Sequence, residues 1–194
     1  MYVSGMTKKE LIQLQKDVGT KPDGFWGRNS QATLEKHLKS LMPYHNPWPK
    51  SNQRSLQAFY GSPCNGGCHT LINFPASWGV KYDGQTVTRI NCHKRVANSL
   101  KRILYQLSLF EEGRLVIGQY AGVYNNRKMR GGSLPSLHAR AAAIDLAPGG
   151  NGNKTHWPTR ATMPLVVMEE FAKEGWLCAG AFWSRDAMHF QATQ

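Results

Sequence analysis

Residues 43–53, PYHNPWPKSNQ, hold three prolines within seven positions. No helix runs through such a stretch, because proline lacks the backbone N–H and its ring clashes with the preceding turn; the segment reads as a stiff, extended connector. It divides the 194 residues into a short piece, 1–42, and a piece of ordinary domain size, 54–194. The expectation is one substantial core with a small appendage in front of it.

The appendage reads as two short helices around a loop. In TKKELIQLQKDV (7–18), Leu11, Leu14, Gln15 and Val18 fall at helical spacing on one stripe. GTKPDG then breaks the pattern, Ser30 offers a hydroxyl to cap a second helix, and Leu34, Leu38 and Leu41 repeat along it. The stretch LIQLQKDVGTKPDGFWGRNSQATLEKHL resembles the peptidoglycan-binding repeat of bacterial and phage wall hydrolases through Asp23, Gly24, Phe25, Trp26, Gly27 and Ser30. It departs at Arg28, where a proline commonly follows the second glycine. The resemblance implies wall contact by Asp23, Gly24, Phe25, Trp26 and Gly27. A packing appendage or a basic two-helix nucleic-acid binder is the alternative.

From residue 54 onward short strand-like pieces mix with helices. KYDGQTVTRINCH carries a turn before an alternating run, and HKRVANSLKRILYQLSLFEE (93–112) places Val96, Leu100, Ile103, Leu104 and Leu107 on one helical face, with His93 at its start. RLVIGQY (114–120), AAAIDLA (141–147), WLCAGAFW and HFQA read as strands, and 162–174 as a helix. Elements of both kinds without strict alternation indicate an α+β fold.

Two fragments carry chemistry. SLHARAAAID (136–145) sets His138 and Asp145 seven apart, and DAMH (186–189) adds Asp186 and His189. Three ligands of the His/Asp type plus an open position are what a hydrolytic zinc needs. On an unbroken strand a separation of seven points two side chains to opposite faces, so the chain must turn near Ala139 and Arg140 for His138 and Asp145 to converge. Beyond that turn Ala141, Ala143 and Asp145 share a face. Asp186, three residues before His189, stands where a general base is required.

The pattern S-x-H-x(6)-D followed by D-x-M-H-F, carried by Ser136, His138, Asp145, Asp186, Met188, His189 and Phe190, resembles the zinc family of D-alanyl-D-alanine carboxypeptidases and L-alanyl-D-glutamate endopeptidases. The likeness extends upstream through AFYG (58–61), VTRINCHKRVANSLKRIL (87–104) and NNRKMRGG (125–132). It implies a hedgehog-like α+β domain with a small antiparallel sheet flanked by helices, one catalytic Zn2+ on His138, Asp145 and His189, and Asp186 as base. Arg127 would act on the oxyanion or a substrate carboxylate, and Arg130, Ser136 and Trp183 would line or support the substrate site. Ala141 stands where the family usually has glycine. Aspartate at 186 resembles the phage endolysin branch, which implies cleavage of the L-Ala–D-Glu bond of peptidoglycan stem peptides. A D-Ala-D-Ala carboxypeptidase is the alternative enzyme, and a wall-binding protein with a structural zinc the alternative of another class.

Charge and cysteines bound the partners. A net charge of +12 favours a polyanion such as an anionic cell envelope, and no motif that reads nucleic acid is visible. Cys64 and Cys68 in CNGGC lack a second matched pair, so no structural zinc is expected there; after release into an oxidising compartment they are candidates for a disulfide. No apolar run of about 18 residues and no signal-peptide pattern occurs. The expectation is therefore a monomer, not integral to a membrane, that waits in the host bacterial cytoplasm and acts on the wall after release.

Overall fold

The computed structural model describes residues 5–63 and 67–194. Helix α1 (Lys8–Asp17) starts where Thr7 and Glu10 cap each other: the Glu10 amide donates to Thr7 Oγ1 at 3.3 Å and the Thr7 amide donates to Glu10 Oε2 at 2.7 Å. Leu11, Leu14, Gln15 and Val18 are buried, as their spacing requires. Helix α2 (Arg28–Leu41) begins earlier than its hydroxyl suggested. Gly27 is the N-cap, and Ser30 lies inside the first turn, where its Oγ accepts from Gln15 Nε2 at 3.3 Å instead of capping. Leu34 and Leu38 are fully buried.

The connector lies along the body of the protein. Trp48 Nε1 donates to the Glu174 carbonyl at 2.8 Å, Asn46 Nδ2 donates to that of Gly175 at 2.9 Å, and the Gln194 amide donates to the Pro49 carbonyl at 2.9 Å. Helix α3 (Gln53–Tyr60) follows, capped by Asn52. Strands β1 (His69–Asn73) and β4 (Arg89–His93) form an antiparallel pair, and between them β2 (Lys81–Tyr82) and β3 (Gln85–Thr86) make a hairpin. Asp83 and Gly84 both have positive φ at its turn, the backbone that the Asp-Gly pair favours.

His93 is the last residue of β4 rather than the first of a helix. It is buried against Tyr60, with Nε2 on the Tyr60 carbonyl at 3.1 Å and Nδ1 accepting from the Arg95 amide. Helix α4 (Ala97–Ser108) then buries Leu100, Ile103, Leu104 and Leu107.

RLVIGQY is mostly helical: α5 (Glu111–Ile117) ends just before β5 (Tyr120–Gly122). Its Val and Ile favour a strand locally, but Glu111 and Glu112 in the first turn suit a helix N-terminus, and Val116 and Ile117 bury against the rest of the core. Strand β6 (Ala143–Leu146), helix α6 (Leu165–Lys173), strand β7 (Leu177–Cys178), the helical turn α7 (Ala179–Phe182) and strand β8 (His189–Gln191) complete the described elements. WLCAGAFW is thus strand only at its start; small residues at 179–181 let the chain coil tightly, with Gly180 close to Ala187.

The main sheet has the order β3-β2-β5-β6-β8-β7, antiparallel except for β2 beside β5. Strand alternation divides it into two faces. On one, Phe190 stacks on Phe171 of α6 with ring centroids 3.9 Å apart, and Ile144 pairs with Phe190 across the strands. Helices α4, α5 and α6 pack together, with α6 against this face. On the other face lie Ala143, Asp145, His189 and Gln191. This mixture of helices and small sheets is an α+β architecture. No helix among the described residues is long and apolar enough to cross a membrane.

Candidate metal centre

Three features of the chain bring His138, Asp145 and His189 together. The sheet register sets Asp145 directly opposite His189 on β8 and Gly122 of β5 opposite Asp145 on the other side. Directly paired residues point to the same face, so the row reads Gly122, Asp145, His189. Gly122 has φ +126°, a conformation side chains avoid, and puts no atom over the carboxylate.

His138 reaches the same point because the chain turns where seven-residue spacing demands it. A short 3-10 turn (Leu137–Arg140) is capped by Ser136 Oγ, which accepts from the His138 amide at 3.3 Å. It closes with Ala141 in the left-handed region at φ +51°. A glycine is the residue that adopts such a backbone without strain, and Ala141 holds it with its methyl fully buried. Ala141 therefore belongs to the turn, and the alternation that carries Asp145 begins with Ala143.

The ligand atoms form a nearly equilateral triangle. His138 Nε2 lies 3.1 Å from Asp145 Oδ1 and 3.1 Å from His189 Nδ1, and His189 Nδ1 lies 3.0 Å from Asp145 Oδ1. A tetrahedral zinc with ligands at about 2.0–2.1 Å separates its ligand atoms by about 3.3 Å, so the triangle matches one face of that polyhedron within a few tenths.

The outer hydrogen bonds fix which nitrogens are bare. His138 Nδ1 faces the Val123 carbonyl at 2.7 Å, which only accepts, so in the neutral ring Nε2 keeps its lone pair. His189 Nε2 faces Gln191 Oε1 at 3.1 Å. The Gln191 amide is oriented by its own nitrogen, which donates to Thr193 Oγ1 at 2.6 Å and Ser51 Oγ at 3.2 Å. His189 therefore carries its proton on Nε2 and presents Nδ1 bare. Two imidazole lone pairs and a carboxylate oxygen converging at about 3 Å repel one another without a cation between them, and the set fits a divalent metal of the zinc type. It is the one such cluster of three found among the described residues.

The charges respond accordingly. Without a cation in the triangle, protons on His138 Nε2 and His189 Nδ1 take its place: burial would raise the Asp145 pKa, but hydrogen bonds from the protonated rings outweigh it and hold the carboxyl below the usual carboxylate range. In that metal-free state burial would lower the His189 pKa, and the hydrogen bond from its protonated Nδ1 to Asp145 reverses that, so it is raised.

Asp186 stands beside the triangle on a strained backbone, φ +60°, and its carbonyl accepts from the His189 amide at 2.9 Å. Its Oδ1 is buried with no hydrogen-bond partner among the described residues. Burial raises its pKa, offset in part by the charge of Arg130. A carboxylate with a free, partly desolvated oxygen is suited to accept a proton as a general base.

Two cavities flank the trio. One, about 210 Å3, is lined by Asp186, Asn153 and three arginines, Arg127, Arg130 and Arg185. The other, about 410 Å3, is lined by Tyr82, Tyr120, Tyr124 and Asn91. Arg127 and Asp145 border both. Trp183 is 45% exposed and lines neither.

The loop residues of the N-terminal segment divide by environment. Asp23 Oδ1 accepts from Gln15 Nε2 at 3.1 Å and from the Phe25 amide at 2.9 Å, and Gln15 Oε1 accepts from the Gly24 amide at 2.7 Å, so these residues shape the loop. Phe25 is exposed, while Trp26 packs edge-on against Trp157 at 5.5 Å, and with Gly27 lines a separate cavity beside His156. Cys64 lies outside the described residues. Cys68 is disulfide-bonded, a state in which its sulfur does not ligate zinc, and Cys92 and Cys178 are free, buried thiols that burial pushes up to about 12.

Gln191, Val123, Arg185 and the three tyrosines were not legible as site residues. Gln191 had a signal: two positions from His189 on a strand, it shares that residue's face.

Residues 130–192 match the family model described as D-alanyl-D-alanine carboxypeptidase. The matched stretch contains all three ligand candidates and Asp186, and supports a zinc-dependent metallopeptidase family for this part of the chain. Arg127 lies just outside it. No curated protein and no solved structure matched the chain.

Proposed function

We propose that the protein is a zinc-dependent endopeptidase of the phage endolysin type, cutting peptidoglycan stem peptides at the L-Ala–D-Glu bond. The observation that carries this reading is the convergence of three bare ligand atoms next to a buried carboxylate oxygen without a partner. A hedgehog-like core belongs to the same reading, as do action on the bacterial wall after release from the host cytoplasm, an anionic envelope drawn to the +12 charge and a monomeric state. Wall contact through the exposed Phe25 of the N-terminal segment completes it.

A zinc ion held by His138, Asp145 and His189 supplies Lewis acidity and lowers the pKa of water at the site. The protein's own groups do the rest. Asp186 accepts a proton from the attacking water, whose oxygen joins the scissile carbonyl carbon, and returns that proton to the nitrogen as the C–N bond breaks. Arg127, on the border of both cavities, stabilises the negative carbonyl oxygen. Ser136 and Gln191 hold His138 and His189 in place.

The aspartate at 186 favours the endopeptidase branch; the description of the matching family favours D-Ala-D-Ala carboxypeptidase as the second reading. Labelling the amino groups freed from purified wall separates them. The first reading predicts new D-Glu N-termini, lost in Asp186→Asn. Free D-alanine without D-Glu termini would transfer the assignment to the second, and equal release by the variant would remove Asp186 from the chemistry.

A further inference from the structure

The two cavities beside the trio differ in charge and in their relation to Asp186. Only the smaller is lined by Asp186. If Asp186 hands the proton to the departing amine, that nitrogen lies within hydrogen-bond reach of it, and the fragment that leaves extends into the smaller cavity. The acyl fragment then lies in the larger one, against Tyr82, Tyr120, Tyr124 and Asn91.

The smaller cavity is cationic. Arg127 is directed in part to the Lys128 carbonyl at 3.3 Å. Arg130 and Arg185 form no salt bridge with a carboxylate among the described residues, and the charge of Arg130 is felt at Asp186. Guanidinium groups without acidic partners at the wall of a cleft are donors for a planar anion, which they bind bidentately.

Resting on the zinc-peptidase reading above, we infer that Arg130 and Arg185 form a subsite for a free carboxylate on the residue whose amine is released, and that the protein distinguishes walls by the amidation of that carboxylate. In a stem peptide continued through the D-Glu side chain, the D-Glu α-carboxylate occupies this position. Converting it to a carboxamide removes the charge and replaces one acceptor oxygen with a donor that faces two donors.

The test uses paired synthetic peptides, N-acyl-L-Ala-D-Glu-L-Lys linked through the γ-carboxyl, with the α-carboxyl free or amidated. A charge-assisted bidentate contact corresponds to about tenfold or more in kcat/KM between the two. In the Arg130→Gln/Arg185→Gln double variant this ratio falls to near one, and Arg130→Lys/Arg185→Lys restores part of it. Calorimetry on the metal-free protein gives a second readout: D-Glu-L-Lys binds more tightly than its α-amide to the native chain and equally to the glutamine variant. Equal kcat/KM for acid and amide, or a ratio that survives the double variant, overturns the inference. Release of D-alanine from purified wall with neither peptide cut would instead overturn the endopeptidase reading, and calorimetry with D-alanine and D-alaninamide then decides the carboxylate subsite by itself.

Discussion

Replacing Gln191 with leucine isolates what the outer hydrogen bonds do for the metal site. Gln191 is 8% exposed and spends both ends of its amide: the oxygen accepts from His189 Nε2 at 3.1 Å, and the nitrogen donates to Thr193 and Ser51. Leucine has similar volume and no acceptor. In Gln191→Leu the His189 Nε2 proton loses its partner at a largely buried position, and the alternative tautomer places the proton on Nδ1, the ligand atom itself. Loss of such a partner to a metal-binding histidine reduces affinity by about 10–100-fold, which is about 1.4–2.7 kcal/mol. Competition against a chromophoric chelator measures the zinc Kd directly, and Gln191→Glu, which keeps an acceptor, is the control. A Gln191→Leu protein that folds normally and binds zinc with unchanged affinity would refute the argument that this amide selects the tautomer.

Three further outcomes follow from packing and protonation. Phe190→Ala, which removes a fully buried ring stacked on Phe171 behind the metal face, should lower stability by about 3–5 kcal/mol, read by chemical denaturation. His93 is held neutral because burial lowers its pKa from 6.5. The unfolded chain therefore binds a proton there before the folded one does, and the stability contributed by neutral His93 is complete above pH 6.5 and lost as pH falls below it; the stability difference between the native chain and His93→Gln should change over that range and stay flat above it. Zinc in excess of its Kd should raise the melting temperature with its concentration, as expected for a ligand of the folded state alone, and Asp145→Ala should abolish that shift.

The metal trio was legible because its chemistry sits in side-chain types at fixed spacing, and the spacing of seven itself required a turn near Ala139 and Arg140, where the structure has one. The stripes of α1 and α4 were equally plain, since each buries one face. Short apolar runs were not: RLVIGQY satisfies either period over so few residues, and only packing decides it. Ser30 misled because a hydroxyl near a helix start also serves inside the first turn, here for Gln15. Tyr82 and Tyr120 come from segments far apart in sequence, and the pairing of β2 with β5 and of β5 with β6 brings them beside Asp145.

Zinc-dependent cleavage between L-Ala and D-Glu is tested by mass spectrometry of the soluble fragments released from purified peptidoglycan by native protein, chelated protein, and chelated protein resupplied with zinc. The expected products are stem peptides beginning at D-Glu with L-Ala left on the glycan, absent after chelation and restored by zinc. Release that ignores the chelator, or no release from any of the three samples, would contradict that assignment.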